Sequence, residues 1–289
     1  MAGFWKILRI LTTNQCNYRC IYCHNEGQEK NQKTEKLEFE SFQHIITAIE
    51  GMGFEEIRFS GGEPLVNPQT IDMIEWLNKH SDYEIGLATN GSLVTERVAR
   101  RLGDTRTLVT VHFPSTDKGE YKRITGKDID RFWEGISNLR DSGVSFSYNH
   151  VLHPDCIDNL NGVIDSVIEQ KRRVKILPYI ESGFKNLSND AIEALSYDMD
   201  KKSANKSVFD KDGIIVWEFE GGGKVKLLES PCYDHSISRC REYAELRLLP
   251  DQRLQGCIFD RNTVSIKGMS SEDIRNTISD MWKKFDHCM

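Results

Sequence analysis

From Lys6 to about Ile180 the sequence alternates six apolar, strand-like runs with amphipathic helical stretches, and nothing else in it restricts the fold as much. The runs are KILRILT, EIRFS, YEIGLAT, TLVTVHF, VSFSYNHVL and VKILPYI. Between them apolar residues recur every three or four positions. One set is Phe42, Ile45, Ile46 and Ile49, and a second is Ile71, Ile74 and Leu77. Phe132, Ile136 and Leu139 form a third, and Leu160, Val163, Ile164, Val167 and Ile168 a wider stripe. That spacing places each set on one helical face, and Gly143 stands where a glycine closes a helix. Strands alternating with helices build a parallel sheet with right-handed crossovers. Six units are too few for the closed eightfold barrel, which leaves an open sheet or a partial barrel. In these folds ligands bind at the carboxyl ends of the strands, so residues that carry chemistry should follow strands directly.

The pattern changes after Gly183. NLSNDAIEALSYDMDKKSANKS reads as a polar helix and linker, and IIVWEFEGGGKVKLLE as a hairpin around Gly221, Gly222 and Gly223. AELRLLPDQRLQGCIF reads as a second hairpin turning at Pro250 and Asp251, and SSEDIRNTISDMWKKF as a closing helix. Two regions are therefore expected: residues 1–183, and a small α+β appendage over 184–289. A net charge of −6 argues against sequence-independent nucleic-acid binding, which needs a basic surface. No apolar run approaches the ~18–20 residues of a membrane span. The N-terminal apolar stretch is broken by Lys6 and Arg9 and lacks a small-residue cleavage site, so a cytoplasmic chain is expected.

Eight cysteines are distributed unevenly. Cys16, Cys20 and Cys23 directly follow the first strand, Cys156 stands alone, and Cys232, Cys240, Cys257 and Cys288 lie towards the C-terminus. In a chain without a signal peptide such clustering points to a metal or iron–sulfur site in a reducing compartment. Thiolates are soft ligands suited to iron–sulfur clusters or zinc. Zinc usually takes four protein ligands in a structural site, and no fourth cysteine is near. Three thiolates on a four-iron cluster would leave one iron open to a substrate or cofactor. A zinc knuckle or merely buried cysteines are the competing readings. After the second strand comes SGGEP, Ser60 to Pro64. Paired glycines permit positive φ and close approach of a ligand to the backbone, although an ordinary strand-to-helix turn could look the same.

Taken together, CNYRCIYC, with Tyr22 before the last cysteine, and the GGEP that follows the next strand resemble the radical S-adenosylmethionine (SAM) superfamily. The resemblance implies a partial (β/α)6 TIM-like barrel with a C-terminal cluster-binding appendage. It implies a [4Fe–4S] cluster on Cys16, Cys20 and Cys23, SAM bound near Gly61, Gly62 and Glu63, and hydrogen abstraction by a 5′-deoxyadenosyl radical. Tyr22, Thr89, Asn90, His112 and Asn149 are further candidates for the cofactor site. A reductant such as flavodoxin or ferredoxin is the implied partner.

Within that superfamily LRILTTNQCNYRCIYCHNEG, RFSGGEPL, LATNG and LRLLPDQRLQGCIF resemble the GTP 3′,8-cyclases of molybdenum-cofactor biosynthesis. By that likeness Arg9, Lys175 and Arg247 would bind an anionic, nucleotide-like substrate such as GTP. Cys240 and Cys257, with Cys232 and Cys288 as replacements for a missing third ligand, would hold a second [4Fe–4S] cluster. The sequence also departs from that branch. VNPQ supplies none of the basic residues expected after GGEPL, Tyr243 stands where a cysteine is expected, and Glu245 stands where the first arginine of an Arg-x-Arg pair is expected. Another small molecule, a peptide, or a non-catalytic iron–sulfur or zinc role are the alternatives.

Overall fold

The computed structural model describes residues 4–23, 33–181, 184–185, 189–209, 214–228, 236–260 and 262–286. Six strands form its centre: β1 (Ile7–Leu11), β2 (Glu56–Ser60), β3 (Glu84–Thr89), β4 (Leu108–His112), β5 (Phe146–Leu152) and β6 (Arg173–Pro178). They lie side by side in chain order, each pair parallel. The sheet does not close, and the architecture is a partial (β/α)6 barrel.

The helices between these strands are α1 (Phe39–Ile49), α2 (Thr70–His80), α3 (Glu96–Gly103), α4 (Lys118–Thr125), α5 (Asp130–Asp141) and α6 (Leu160–Glu169). The apolar stripes legible in the sequence are buried here, from Phe42, Ile45, Ile46 and Ile49 of α1 to Leu160, Val163, Ile164 and Val167 of α6, while Ile168, at the edge of its stripe, is half-buried. Burying one such side chain contributes about 1.5–3 kcal/mol. Gly143 takes the left-handed conformation just past α5, with φ 68°. Two helices carry no long stripe and are marked by their caps instead: Thr95 accepts from the Val98 N–H ahead of α3, and Asp117 from the Glu120 N–H ahead of α4.

After β6 come a two-stranded piece, β7 (Ile180–Glu181) and β8 (Phe184–Lys185), and the helix α7 (Asn189–Lys202). The remaining strands extend the central sheet at both edges. Beyond β6 it continues through β11 (Lys224–Leu228), β10 (Ile214–Glu218) and β9 (Asn205–Phe209). Beyond β1 it continues through β12 (Glu245–Leu248), β13 (Arg253–Gln255) and β14 (Val264–Ser265). The two hairpins read from the sequence are β10–β11 and β12–β13. A short helix, α8 (Ile237–Tyr243), leads into β12. The last helix, α9 (Ser271–Lys284), packs on α1 and clamps Trp5, whose indole N–H donates to the Ile278 carbonyl at 3.3 Å. Trp5 also meets Trp282 edge to face, with ring centroids 5.0 Å apart. No helix among the described residues is long and apolar enough to cross a membrane.

Candidate functional site

The cysteine loop leaves the end of β1 and is held on two sides. On one side the SGGE segment runs on past β2 and pairs with it. The Gly62 N–H donates to the Thr13 carbonyl at 2.9 Å and the Glu63 N–H to the Gln15 carbonyl at 2.8 Å. Gly61 reaches this path with φ +140°. A Cβ on Gly62 would lie 2.1 Å from the Gln15 carbonyl oxygen and 2.9 Å from the Cys16 nitrogen. The close approach that the paired glycines permit is therefore, first of all, to the cysteine loop itself. On the other side the loop hangs on α4 and its end: the Arg19 and Ile21 N–H groups donate to the carbonyls of Thr125 and Ile124.

Cys16, Cys20 and Cys23 are all half-buried and outside any disulfide. Burial pushes Cys16 up to about 11 and Cys20 up to about 12, and the neighbouring thiols add to the shift at Cys20. Such thiols hold their protons at neutral pH until a metal displaces them. Among the described residues no three Cys, His, Asp or Glu side chains come close enough to share one metal ion. A tetrahedral zinc, with bonds of about 2.3 Å to sulfur, requires that closeness. A four-iron cluster takes each thiolate at a separate corner, so its ligands stand wider apart. Three soft thiols on one loop suit such a cluster.

Glu63 lies below this loop and is 1% exposed. Its carboxylate accepts from the Thr89 hydroxyl at 2.7 Å, the Asn90 N–H at 2.7 Å and the Leu65 N–H at 3.2 Å. Burial nevertheless pushes its carboxyl up to about 7, against these donors. A buried carboxylate in that state is stabilised by a nearby cation, which suits the ammonium group of SAM. The Asn90 amide is spent on structure: it donates to the Asn17 side chain, and its oxygen accepts from the Ser92 hydroxyl. This ties the cysteine loop to the end of β3.

Tyr22, His112 and Asn149 form a chain. The ring nitrogen Nε2 of His112 lies 2.7 Å from the Tyr22 hydroxyl, and Nδ1 lies 3.1 Å from the Asn149 side-chain oxygen. That oxygen can only accept, so Nδ1 carries the proton and Nε2 accepts from Tyr22. Burial, with His150 nearby, pushes His112 down to about 4 and keeps the imidazole neutral. The residue before Cys23 is thereby fixed to β4 and β5.

The inward face of the sheet is cationic. Arg9 pairs in register with Arg58 on β2 and Arg247 on β12, and Lys175 with Lys226 on β11. Two carboxylates lie among them. Glu245 takes the Arg9 fork with both oxygens at 2.7 Å, and lies 3.5 Å from Arg58 and 3.7 Å from Arg247. Glu56 takes the Arg58 fork at 2.6 and 2.9 Å. Burial opposes the charge of Arg9, but Glu245 outweighs it and raises the guanidinium above its ordinary value. Glu245 itself is pulled upward by burial and, more strongly, downward by Arg9, Arg58 and Lys175. Burial and Arg9 push Arg247 down to about 9, and burial with Arg58, Arg9 and Lys226 pushes Lys175 down to about 8. Among the described residues this face sets Arg9, Arg58, Lys175, Lys226 and Arg247 beside the carboxylates Glu56 and Glu245.

The structure places Arg9, Lys175 and Arg247 on one face and adds Arg58, Lys226 and Glu56, which sequence reasoning missed. Their signal is charged residues alternating with apolar ones along a strand, as in Glu56-Ile57-Arg58-Phe59 and Lys224-Val225-Lys226-Leu227. Tyr243 accepts from Arg58 at 3.0 Å. Cys240 on α8 and Cys257 after β13 are half-buried, and Cys257 bears electrostatically on Arg247. Cys232 and Cys288 lie outside the described residues.

Comparison with known proteins agrees with this geometry. Residues 10–165 match the family model of the radical SAM superfamily. The GTP 3′,8-cyclase of Thermodesulfovibrio yellowstonii is 29% identical over 94% of this chain and 88% of its own length. That of Aquifex aeolicus is 25% identical over 96% and 89%. Streptococcus suis SuiB, solved bound to S-adenosylmethionine, superposes with a TM-score of 0.70 at 15% identity, over 92% of this chain and 65% of that one. This last likeness is one of fold.

Proposed function

This chain belongs to the radical SAM superfamily, and from that premise we propose that it abstracts a hydrogen atom from an anionic, nucleotide-like substrate, in the manner of the GTP 3′,8-cyclases to which it is similar. The observation that carries the substrate side is the inward cationic face of Arg9, Arg58, Lys175, Lys226 and Arg247. The cluster and SAM, when bound, supply a 5′-deoxyadenosyl radical on one-electron reduction; that chemistry is the cofactor's.

The chain's own residues bind and orient. Cys16, Cys20 and Cys23 offer three thiols. Gly61 and Gly62 let the backbone close over the cysteine loop, and Glu63, steadied by Thr89 and Asn90, offers its carboxylate to the SAM ammonium. Tyr22, His112 and Asn149 form a neutral hydrogen-bonded wall between the cofactor side and β5. Arg9, Lys175 and Arg247 draw in the anion, so that a C–H bond is held within reach and water is kept out. In this reading residues 1–183 carry the SAM chemistry, and 184–289 supply the far side of the substrate cavity. Cys240 and Cys257, with Cys232 and Cys288, hold a second [4Fe–4S] cluster. A flavodoxin or ferredoxin of the cytoplasm delivers the electron.

The test is an anaerobic, reduced assay for 5′-deoxyadenosine, with and without candidate nucleotides. The wild-type protein should release it, and replacing Cys16, Cys20 and Cys23 together with Ala should abolish release. Normal release from that triple variant would refute the reading.

A further inference from the structure

Three side chains from two distant segments close a ring beside the cysteine loop. The Asn17 amide donates to the Ser92 hydroxyl oxygen at 2.8 Å, and that hydroxyl donates to the Asn90 side-chain oxygen at 2.6 Å. The Asn90 amide then donates back to the Asn17 side-chain oxygen at 2.8 Å. Within the ring each side chain donates once and accepts once, and the three bonds run in one sense. Hydrogen bonds joined head to tail polarise and strengthen one another, the more so away from water. Asn90 is 8% exposed, and Asn17 and Ser92 are half-buried.

The ring joins the two halves of the cofactor side at one residue. Asn17 lies between Cys16 and Cys20, and the loop is held before it at Gln15 and after it at Arg19 and Ile21. Asn90 is also the residue whose backbone N–H donates to one Glu63 oxygen at 2.7 Å, while the Thr89 hydroxyl donates to the other. The Glu63 carboxylate and the middle of the cysteine loop are therefore set against each other through Asn90. Asn90 is itself steadied by the Ser92 N–H, which donates to the same side-chain oxygen at 3.0 Å. Groups that grip one ligand from two sides must keep their spacing to within about 0.5 Å, and the ring is a short, closed means of doing so.

We infer that Asn17 and Ser92 are positioning residues for SAM: with Asn90 they lock the cysteine loop at a fixed distance from Glu63, and Ser92 acts through the other two. This rests on the reading of the three thiols and Glu63 as the cluster and SAM site.

The experiment measures iron content and the Kd of SAM, by equilibrium dialysis without turnover, on the anaerobically reconstituted full chain. The proteins are the wild type, Asn17→Ala, Ser92→Ala, the double variant, and Ser92→Thr, which keeps the hydroxyl. Without Asn17 or the Ser92 hydroxyl the loop keeps its bonds at Gln15, Arg19 and Ile21, so these variants should fold and hold full iron. Asn17→Ala should bind SAM about tenfold or more weakly, the effect expected of a residue that supports a ligand-binding group without touching the ligand. Ser92→Ala should bind about threefold or more weakly, and Ser92→Thr as the wild type does. Because Ser92 acts through Asn17, the double variant should be little weaker than Asn17→Ala alone, whereas independent contacts would multiply to about thirtyfold. An Asn17→Ala protein with full iron and a SAM Kd within twofold of the wild type would overturn the inference, and so would a multiplicative double variant. Loss of iron from both single variants would assign the ring to holding the loop alone and would overturn it too. Should one single variant not fold, the other decides. A wild-type protein that holds no iron or binds no SAM refutes the proposed cofactor site itself, and the role of the ring falls with it.

Discussion

The Gly62→Ala substitution tests the central geometric claim, that the second glycine of SGGEP exists to let the cysteine loop close. The added methyl would lie 2.1 Å from the Gln15 carbonyl oxygen, whereas Cβ atoms essentially never come within 3.0 Å of a heavy atom. Something must therefore move by at least the difference, about 0.9 Å. The atoms in the way are the backbone of Gln15 and the nitrogen of Cys16, and no flexible side-chain tip can yield in their place. Overpacking of this kind costs about 1–3 kcal/mol. A misplacement of about 1 Å at a reacting centre costs about a hundredfold in rate. The variant should fold with reduced thermal stability, hold less iron after anaerobic reconstitution, and release 5′-deoxyadenosine about a hundredfold more slowly. The control is Gly143→Ala. There the backbone is left-handed, at φ +68°, as it is not at Gly62, but a Cβ meets nothing within 4 Å. Strain there costs about 1–2 kcal/mol and should leave iron content and cleavage rate unchanged. A Gly62→Ala protein with full iron and wild-type cleavage would refute the reasoning.

Two further outcomes follow from the thiols and the cations. If a second cluster exists, the protein lacking Cys16, Cys20 and Cys23 should keep about four irons per chain after reconstitution, and a value near zero would exclude it. Lys175, pushed down to about 8 by burial and by Arg58, Arg9 and Lys226, with Glu245 opposing, is a cation below that pH and neutral above it. Affinity for the anionic substrate should therefore start to weaken as pH rises past about 8. Lys175→Arg should move that loss upward, because a guanidinium keeps its charge; an identical pH profile in the variant would show that Lys175 does not face the anion.

The parallel core was legible because its strands and helices are held by the same local pattern that folding buries. The stripes on α1, α2, α5 and α6 are long enough to repeat, and each became core. What escaped was of two kinds. The helices α3 and α4 are short, at 8 residues each, and only two or three of their residues are buried, so periodicity had little to register. Their signal lay in the caps, Thr95 and Asp117. The second kind was placement. The hairpins near Gly221 and Pro250 are local and could be read, but that one docks on β6 and the other on β1 is set by pairing across most of the chain.

The same distinction separates the two halves of the candidate site. The cofactor half is written in contiguous motifs, because one loop supplies all three thiols and one turn supplies Gly61, Gly62 and Glu63. The hydrogen bonds that hold that loop run to segments well removed in sequence, such as Thr125 and His112, but the thiols themselves stand together without them. On the substrate side nothing is contiguous. Arg9 and Glu245 are separated by 236 positions, and their contact follows from the parallel register of β1 with β12. As residues in a sequence they read as an arginine that could bind an anion and a glutamate that weakens such a site. Side by side they are an ion pair in which the Glu245 carboxylate fills the Arg9 fork. The sequence could therefore name the class of chemistry, which depends on local ligands. The charge of the substrate depends on which side chains neutralise each other across the sheet, and only the fold decides that.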